Sequence, residues 1–506
     1  MDIKELLLKQ ARDYPNKSAV FFEGKSIDFS ELKDNSFKLA NFLISKGLTK
    51  SDKVALYLSN TPQAIISFLG IFSSGLSVVP MDFMLTQSEI ITFLNHSQAR
   101  VLITQAKKSV DIGRIKKDCP NLEHIITVDY KSDDCFLWEE IMSSASSLKP
   151  QTQNQNSDLA AIFYTSGSTG HPKGVMLNYS QLDNPAYAID YFLGISNNDI
   201  FLCGGVPFSH VGGLDYILLT VTFASSLVLM ERFHPFEFLK NVQNYKVTVF
   251  CIVPAMFFAL LSLKEYEKFD LSSLRYAVVF GAPSSPAVLR LFHRAYPNAK
   301  LANGWGMTET AAPNTISPPG DEKIRSIGKF TPNVEVKIVD EFGNKLDLHQ
   351  KGELLIKGQP IMPGYYREKD LTKEVFIDGV WLKTGDIAYF DEEGLYYIVG
   401  RKKDMIKVAG EIVFPAEVEE KLLTNPKVKE AAVIGVPDKM RGEVPKAFIT
   451  LNQGQNIDQQ ELVDFLKEHI AHFKIPHYFE LLEELPKNRT GKIDKTKLTK
   501  GLGNRV

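Results

Sequence analysis

Cysteine is scarce in this chain of 506 residues: Cys119, Cys135, Cys203 and Cys251 are the four. No two stand in a Cys-x-x-Cys spacing, which argues against a disulfide framework or a zinc site and favours a reducing compartment. Charge of one sign is also lacking. Lys and Arg number 58 and Asp and Glu 60, a net charge of −2, so bulk electrostatics offer nothing to a nucleic acid. The longest nearly apolar run, Val247 to Leu263, is marginal for a membrane span and is split by Pro254. It reads as a buried strand, Val247–Val253, followed by a helix with proline at its first position. The opening Met1-Asp2-Ile3-Lys4-Glu5 is too charged for a signal peptide, position 2 is not glycine, and the closing Gly-Asn-Arg-Val matches no peroxisomal or retention signal. The expected location is the cytoplasm. Short-period repeats and low-complexity linkers are missing too; the one polar enrichment, Gln151 to Ser157, reads as a loop.

What remains is an ordinary globular composition, 44% hydrophobic and 23% charged, in a chain long enough for about three or four domain-sized units. Residues 1–150 alternate helical and strand patterns: helices at Leu32–Lys46 and Pro62–Gly75, strands at Lys53–Leu58, Ser77–Pro80, Val101–Thr104 and His124–Val128. Residues 159–310 repeat the alternation, with strands at Leu159–Phe163, Asp199–Cys203, Ser226–Met230 and Tyr276–Phe280. Such alternation predicts parallel α/β sheets. Between 325 and 400 the strands shorten (Val334–Val339, Gly352–Lys357, Trp381–Lys383, Leu395–Val399) and are parted by Gly, Asp and Pro, as in an antiparallel barrel-like piece. From Lys402 the pattern changes again, to helices at Pro415–Leu423 and Gln459–His472 and strands at Val428–Gly435 and Lys446–Leu451, a small α+β domain. The expected division is 1–402 and 403–506.

After the apolar run Leu159–Phe163 comes Tyr164-Thr165-Ser166-Gly167-Ser168-Thr169-Gly170-His171-Pro172-Lys173-Gly174-Val175. Glycines let backbone N–H groups face an anion, hydroxyls add donors and the lysine adds charge, which is the chemistry of a phosphate loop. It is not of the Walker type, since Gly170 is three residues before Lys173 and Gly174 follows it. A solvated Gly/Ser turn is the competing reading. Asn303-Gly304-Trp305-Gly306-Met307-Thr308-Glu309-Thr310 adds an aromatic plate for a base, a hydroxyl for phosphate and a carboxylate for Mg²⁺; taken alone, a turn with a buried tryptophan explains it better. Trp381-Leu382-Lys383-Thr384-Gly385-Asp386 places an acid after a strand, where it can accept from ribose hydroxyls. Gly400-Arg401-Lys402-Lys403-Asp404 is a charged junction suited to a hinge or a solvated face, and Pro486–Ile493 a Gly-containing basic loop.

In this order and at these separations the stretches resemble the AMP-forming acyl- and aryl-CoA synthetases. This is the adenylate-forming superfamily, which also holds peptide-synthetase adenylation domains and beetle luciferase. The resemblance runs over nearly the whole chain and takes in Asp28-Phe29-Ser30-Glu31-Leu32 and Lys53–Leu58. It implies two half-reactions: a carboxylate attacks the α-phosphate of Mg·ATP to give acyl-AMP and pyrophosphate, then a thiol, usually of coenzyme A, expels AMP. By residue match, Thr165, Ser166, Ser168, Thr169 and Lys173, on the loop with Gly167 and Gly170, would hold the β- and γ-phosphates. Thr308 would contact the α-phosphate and Glu309 the magnesium. Gly281, Ala282, Pro283, Asn303 and Trp305, with Gly304 and Gly306 in the same stretch, would surround adenine. Asp386 and Arg401 would bind ribose. Lys492 would reach the substrate carboxylate and α-phosphate, offsetting like-charge repulsion. Lys403 stands at the family's hinge, and Lys407 and Gly410 would face the site for the thioester step. Three departures stand out: Trp305 replaces a commoner tyrosine, Asp82–Thr86 replaces an Asn-Pro segment, and the terminal motif is stretched by Asn488 and Arg489.

Pro207–Leu214 matches the family's acyl-pocket segment. Amino-acid-activating relatives carry an aspartate near here; this chain has His210, and Asp215 only five residues later, which disfavours an amino-acid substrate. Gly212 and Gly213 leave space where aromatic-acid ligases tend to place bulk, so the expected acid is a medium- or long-chain fatty acid. The same glycines equally suit a turn. An aromatic-acid CoA ligase, an acyl-AMP ligase loading a carrier protein, a luciferase-like oxygenase and a degenerate nucleotide-binding protein are the alternatives. The expected partners are a small carboxylic acid, ATP and CoA, with no nucleic acid; peripheral membrane contact and a homodimer are left open.

Overall fold

The structure, a computed structural model, describes residues 2–107, 110–165, 173–281, 286–319, 325–487 and 493–501. Among these residues the strands form four sheets. The first holds, side by side, Phe136–Leu137, His124–Val128, Val101–Gln105, Lys53–Tyr57, Ser77–Pro80, Leu159–Thr165 and Lys173–Asn178. All its pairings are parallel except the last, an antiparallel hairpin. The second runs Lys329–Phe330, Thr315–Ile316, Lys300–Trp305, Tyr276–Val279, Val249–Ile252, Ile200–Gly204, Ser226–Met230, Ser18–Phe22 and Lys25–Asp28. Its middle is parallel and both edges are antiparallel. Buried strands of Val, Ile, Leu and Phe with intervening helices are what a parallel sheet covered on both faces requires.

Helices Phe29–Ser45, Pro62–Ser73 and Val211–Phe223 contribute to one shared core with both sheets. Their starts are legible locally: Asp28 caps the first through the Glu31 amide at 2.8 Å, and Pro62 opens the second. Both sheets change direction of strand addition, and the carboxyl ends of the two switch strands are tied together. The Asn60 amide nitrogen donates to the Val206 carbonyl at 2.7 Å, and the Phe208 N–H donates to Asn60 Oδ1 at 3.1 Å. Crevices at such switch points are where open α/β sheets bind ligands.

A third sheet is antiparallel: Val334–Val339, Gly352–Gly358, Trp381–Phe390 and Phe376–Ile377, with Tyr396–Arg401 added on Trp381–Phe390. It is the barrel-like piece. The fourth belongs to the C-terminal region, where Val428–Asp438 and Gly442–Leu451 form a long hairpin beside the short hairpin Ile406–Val408/Glu411–Val413. This region has its own core, from Ile406 to Leu498, separate from those formed by earlier residues.

The elements depart from expectation in informative places. The strand expected at Val247–Val253 spans Val249–Ile252. Trp381–Lys383 is the start of a strand that continues to Phe390, so Asp386 lies within it rather than after it. A positive φ of 71° at Gly385 and a register shift against Tyr396–Arg401 interrupt the alternation that marks a strand in sequence.

Candidate active site

The candidate residues emerge at the carboxyl ends of parallel strands. Gly281 follows Tyr276–Val279, the stretch Gly306–Glu309 follows Lys300–Trp305, and Pro207–His210 follows Ile200–Gly204. Close backbone approach explains one glycine here: a Cβ on Gly304 would fall 1.7 Å from the Phe280 ring.

Asp386 is nearly buried, at 3% exposure. The Arg401 Nε donates to its Oδ1 at 2.7 Å from the neighbouring strand, and the Trp305 indole N–H donates to its Oδ2 at 2.8 Å. The Asp386 amide donates to Thr384 Oγ1 at 3.0 Å, and that hydroxyl donates to the Leu354 carbonyl at 2.8 Å. Two charge-assisted bonds thus fix a carboxylate between two sheets. Trp305 itself is 9% exposed and meets Phe330 edge-on, centroids 5.5 Å apart. Its nitrogen is engaged with Asp386, so any stacking role falls to the remaining open part of the ring. Asn303 and Gly281 lie at the adjoining strand ends; Ala282 and Pro283 lie outside the described residues.

Thr165 and Lys173 are opposed across the hairpin that brackets the hydroxyl-rich loop, a strand–turn–strand rather than the strand–turn–helix of Walker loops. Ser166, Gly167, Ser168, Thr169 and Gly170 lie outside the described residues. Below the hairpin sits Tyr365, which sequence reading missed. Gly364 and Tyr366 bond to its outer strand, through Met176 N–H to the Gly364 carbonyl at 3.1 Å and Tyr366 N–H to the Gly174 carbonyl at 2.7 Å. The Tyr365 hydroxyl donates to Glu309 Oε1 at 3.0 Å, and the Lys173 ammonium lies 5.4 Å from the Tyr365 ring centroid. Burial, then the adjacent Glu309 carboxylate, holds the phenol well above its ordinary value, so it remains a donor. One side chain therefore joins the lysine of the phosphate loop to the carboxylate proposed for magnesium. The signal was Met362-Pro363-Gly364-Tyr365-Tyr366, a Pro-Gly turn followed by two aromatics. Thr308 and Glu309 open a 3₁₀ turn, Thr308–Thr310, held by the Thr310 hydroxyl, which accepts from the Met307 N–H at 3.1 Å.

In the acyl segment His210 is the N-cap of helix Val211–Phe223. The glycines divide. A Cβ on Gly212 would meet only Val206, at 3.9 Å, so space is left there. A Cβ on Gly213 would lie 2.4 Å from the Pro207 carbonyl oxygen; that glycine serves close packing of the turn instead. Gly204 and Gly205 are likewise filled, by Phe238 and by the Phe233 backbone.

Lys403 lies exposed in the 3₁₀ turn Lys402–Asp404, while Lys402 is tied to Glu353 at 2.7 Å. Lys407 and Gly410 are exposed on the hairpin Ile406–Val413; Gly410 has φ of 93° and open space around it. Lys492 lies outside the described residues.

Comparison with known proteins identifies the family. The family described as AMP-binding enzyme matches residues 7–366, and the AMP-binding enzyme C-terminal domain matches 417–492. A long-chain-fatty-acid–CoA ligase of Bacillus subtilis (strain 168) is 33% identical over 98% of this chain and 94% of its own. A 4-coumarate–CoA ligase 2 of Nicotiana tabacum is 31% identical over 94% and 90%. A crystal structure of an anthranilate CoA ligase in complex with anthranoyl-AMP superposes with a TM-score of 0.92 at 28% identity, covering 100% of this chain and 98% of that one. The chain therefore belongs to the AMP-binding enzymes of the adenylate-forming superfamily, and is an ATP-dependent, AMP-forming acid–thiol ligase that makes an acyl-CoA through an acyl-AMP.

Proposed function

We propose that the acid is a medium- or long-chain aliphatic one. The observation that carries this reading is the open space at Gly212, at the start of an apolar helix beside Phe208, Val211 and Leu214. The relative named a long-chain-fatty-acid–CoA ligase supports it. The names 4-coumarate and anthranilate on other relatives keep an aromatic acid as the second reading.

In the first half-reaction Thr165 and Lys173, with Ser166, Ser168 and Thr169, hold the phosphates that leave as pyrophosphate. Trp305 and Asn303 border adenine. Asp386, held by Arg401, accepts from ribose hydroxyls. Thr308 contacts the α-phosphate, and Lys492 draws carboxylate and phosphate together. Among the described residues no group of three or more His, Cys, Asp or Glu is assembled as a metal cage. A single buried carboxylate, Glu309, fits a hard Mg²⁺ that arrives on the nucleotide phosphates and keeps several waters. The ion would supply charge neutralisation on the phosphates. For the second half-reaction the region after Lys403 turns, bringing Lys407 and Gly410 to the site for the CoA thiol. The four cysteines are free, in keeping with a reducing compartment, and the cytoplasm is the proposed location.

The deciding experiment is a pyrophosphate-release screen over acids of graded length and aromaticity, with and without CoA. Rising activity with alkyl length supports the reading; activity confined to aromatic acids overturns it in favour of the second.

A further inference from the structure

Helix Val211–Phe223 carries a carboxyl that nothing among the described residues satisfies. Asp215 is 8% exposed, and its Oδ1 is inaccessible to solvent and without a hydrogen-bond partner. Among the described residues no N–H, hydroxyl or basic side chain reaches it. The ionisable neighbours that feel its charge are Tyr216 and Cys251, both acids. The Tyr216 hydroxyl is already committed to the Cys251 backbone, donating to its carbonyl at 2.8 Å and accepting from its N–H at 3.1 Å. Burial holds the Asp215 carboxyl well above the ordinary range. A buried polar group without a partner is costly, and native interiors rarely retain one.

Its position suggests why it is there. Gly212 and Asp215 are three residues apart on one helix, hence on one face, with Asp215 about 4.5 Å further along the axis. Gly212 borders open space, and the small exposed remainder of Asp215 shows that it is not fully sealed. Cys251, Phe280 and Met307, near the carboxyl ends of the neighbouring strands, pack against the same core as this helix. The carboxyl is therefore about one helical turn beyond the space at Gly212, close enough to Cys251 for the two to feel each other's charge.

We propose that Asp215 receives a hydrogen-bond donor carried on the acyl chain beyond the α-carbon, a hydroxyl or an amine, and that the acid selected is one so substituted. This rests on the reading that helix Val211–Phe223 lines the acyl pocket. A hydroxyl satisfies the neutral carboxyl, donating to its carbonyl oxygen and accepting its proton in a hydrogen bond. An ammonium satisfies the ionised form. In both cases the substrate supplies the partner that Asp215 lacks among the described residues, and an unsubstituted acid supplies none.

The test is pyrophosphate release, with CoA present, over matched acids. Each unsubstituted chain is paired with its hydroxyl and amino derivatives at successive carbons. The wild type is compared with Asp215→Leu and Asp215→Asn. At one position the wild type is expected to favour the substituted acid at least tenfold in kcat/KM, and the ratio falls to one or below in Asp215→Leu. Asp215→Asn, of the same shape, keeps the comparison open if the leucine variant does not fold; it retains part of a hydroxyl preference and loses an amine preference. A purely structural aspartate would move the melting temperature and leave the ratio unchanged. A wild type that favours the unsubstituted acid at every position, or a preference that survives both substitutions, overturns the inference and leaves the aliphatic reading standing. Turnover of neither series overturns both.

Discussion

Tyr365 shows how much a single hydroxyl holds in this site. Among the described residues its donation at 3.0 Å is the one side-chain hydrogen bond to the 9% exposed Glu309 carboxylate, and its ring lies beside the Lys173 ammonium. Tyr365→Phe keeps the ring and removes the donor. A hydrogen bond to a charged group contributes about 1.5–3 kcal/mol, so the variant is expected to lose roughly tenfold to a hundredfold in kcat/KM. The loss should be accompanied by a higher Mg²⁺ requirement, read by titrating Mg²⁺ against pyrophosphate release at fixed ATP. An unchanged Mg²⁺ dependence would show that Tyr365 does not position the metal-binding group. Asp215 makes a different residue-scale prediction, on stability. Because burial raises its native pKa, the folded state binds a proton that the unfolded chain releases near the ordinary carboxyl value of about 4. Unfolding then releases a proton as pH rises above that value, so stability falls across the window up to the raised native pKa. The melting temperature of the wild type should drop relative to Asp215→Leu from about pH 4 upward; parallel curves would refute it.

At the scale of elements, the sequence speaks clearly where one period dominates. The buried runs at Ser77–Pro80, His124–Val128 and Ser226–Met230 are strands with the expected bounds, because continuous apolar residues of that length suit little else in an α/β core. Of the hairpin around the phosphate loop, only the strand entering it, expected at Leu159–Phe163, was legible; Lys173–Asn178 begins at the lysine and glycine that mark the loop, and its pairing partner is chosen by the sheet edge. Tyr365 was hidden for a related reason. Its contacts come from a segment that bonds to Lys173–Asn178 across a long stretch of chain, and no local period encodes that. The acyl-pocket glycines show the limit most sharply, since Gly212 and Gly213 look alike in sequence and differ in what a Cβ would meet. Gly213→Ala forces a methyl to 2.4 Å from the Pro207 oxygen, and should destabilise by about 1–3 kcal/mol as an overpacked site. Gly212→Ala should melt within about 0.5 kcal/mol of the wild type, as substitutions away from such features do. Thermal unfolding followed by circular dichroism compares them directly, and equal shifts would contradict the division.

At the scale of the molecule, two bodies with separate cores meet, among the described residues, through contacts that include the Arg325–Glu420 ion pair, Phe414 packed against Gly400 and facing the Lys351 ammonium, and the turn Lys402–Asp404 that joins them. Exposed ion pairs hold only weakly, as a junction proposed to rotate requires. Lys402 is tied to Glu353, and the exposed Lys403 beside it is the residue proposed above as the start of the turn. At the hairpin tip Gly410 is exposed, and a Cβ built there would meet nothing within 4 Å among the described residues. A ligase working in two half-reactions can use that arrangement by giving each step its own face of the C-terminal body. The expected signature is a crossed pattern. Lys492→Ala should lower acyl-AMP formation at least a hundredfold, measured as acid-dependent ATP–pyrophosphate exchange, while converting supplied acyl-AMP to thioester near the wild-type rate. Gly410→Leu, which adds bulk where the CoA thiol is proposed to arrive, should keep the exchange reaction and slow thioester formation by a similar factor. Because Gly410 has a positive φ, its variant needs a melting curve alongside, to separate local strain from loss of the step. If each substitution lowers both half-reactions equally with folding intact, the two faces are not divided between the steps, and a fixed arrangement of the two bodies must serve both.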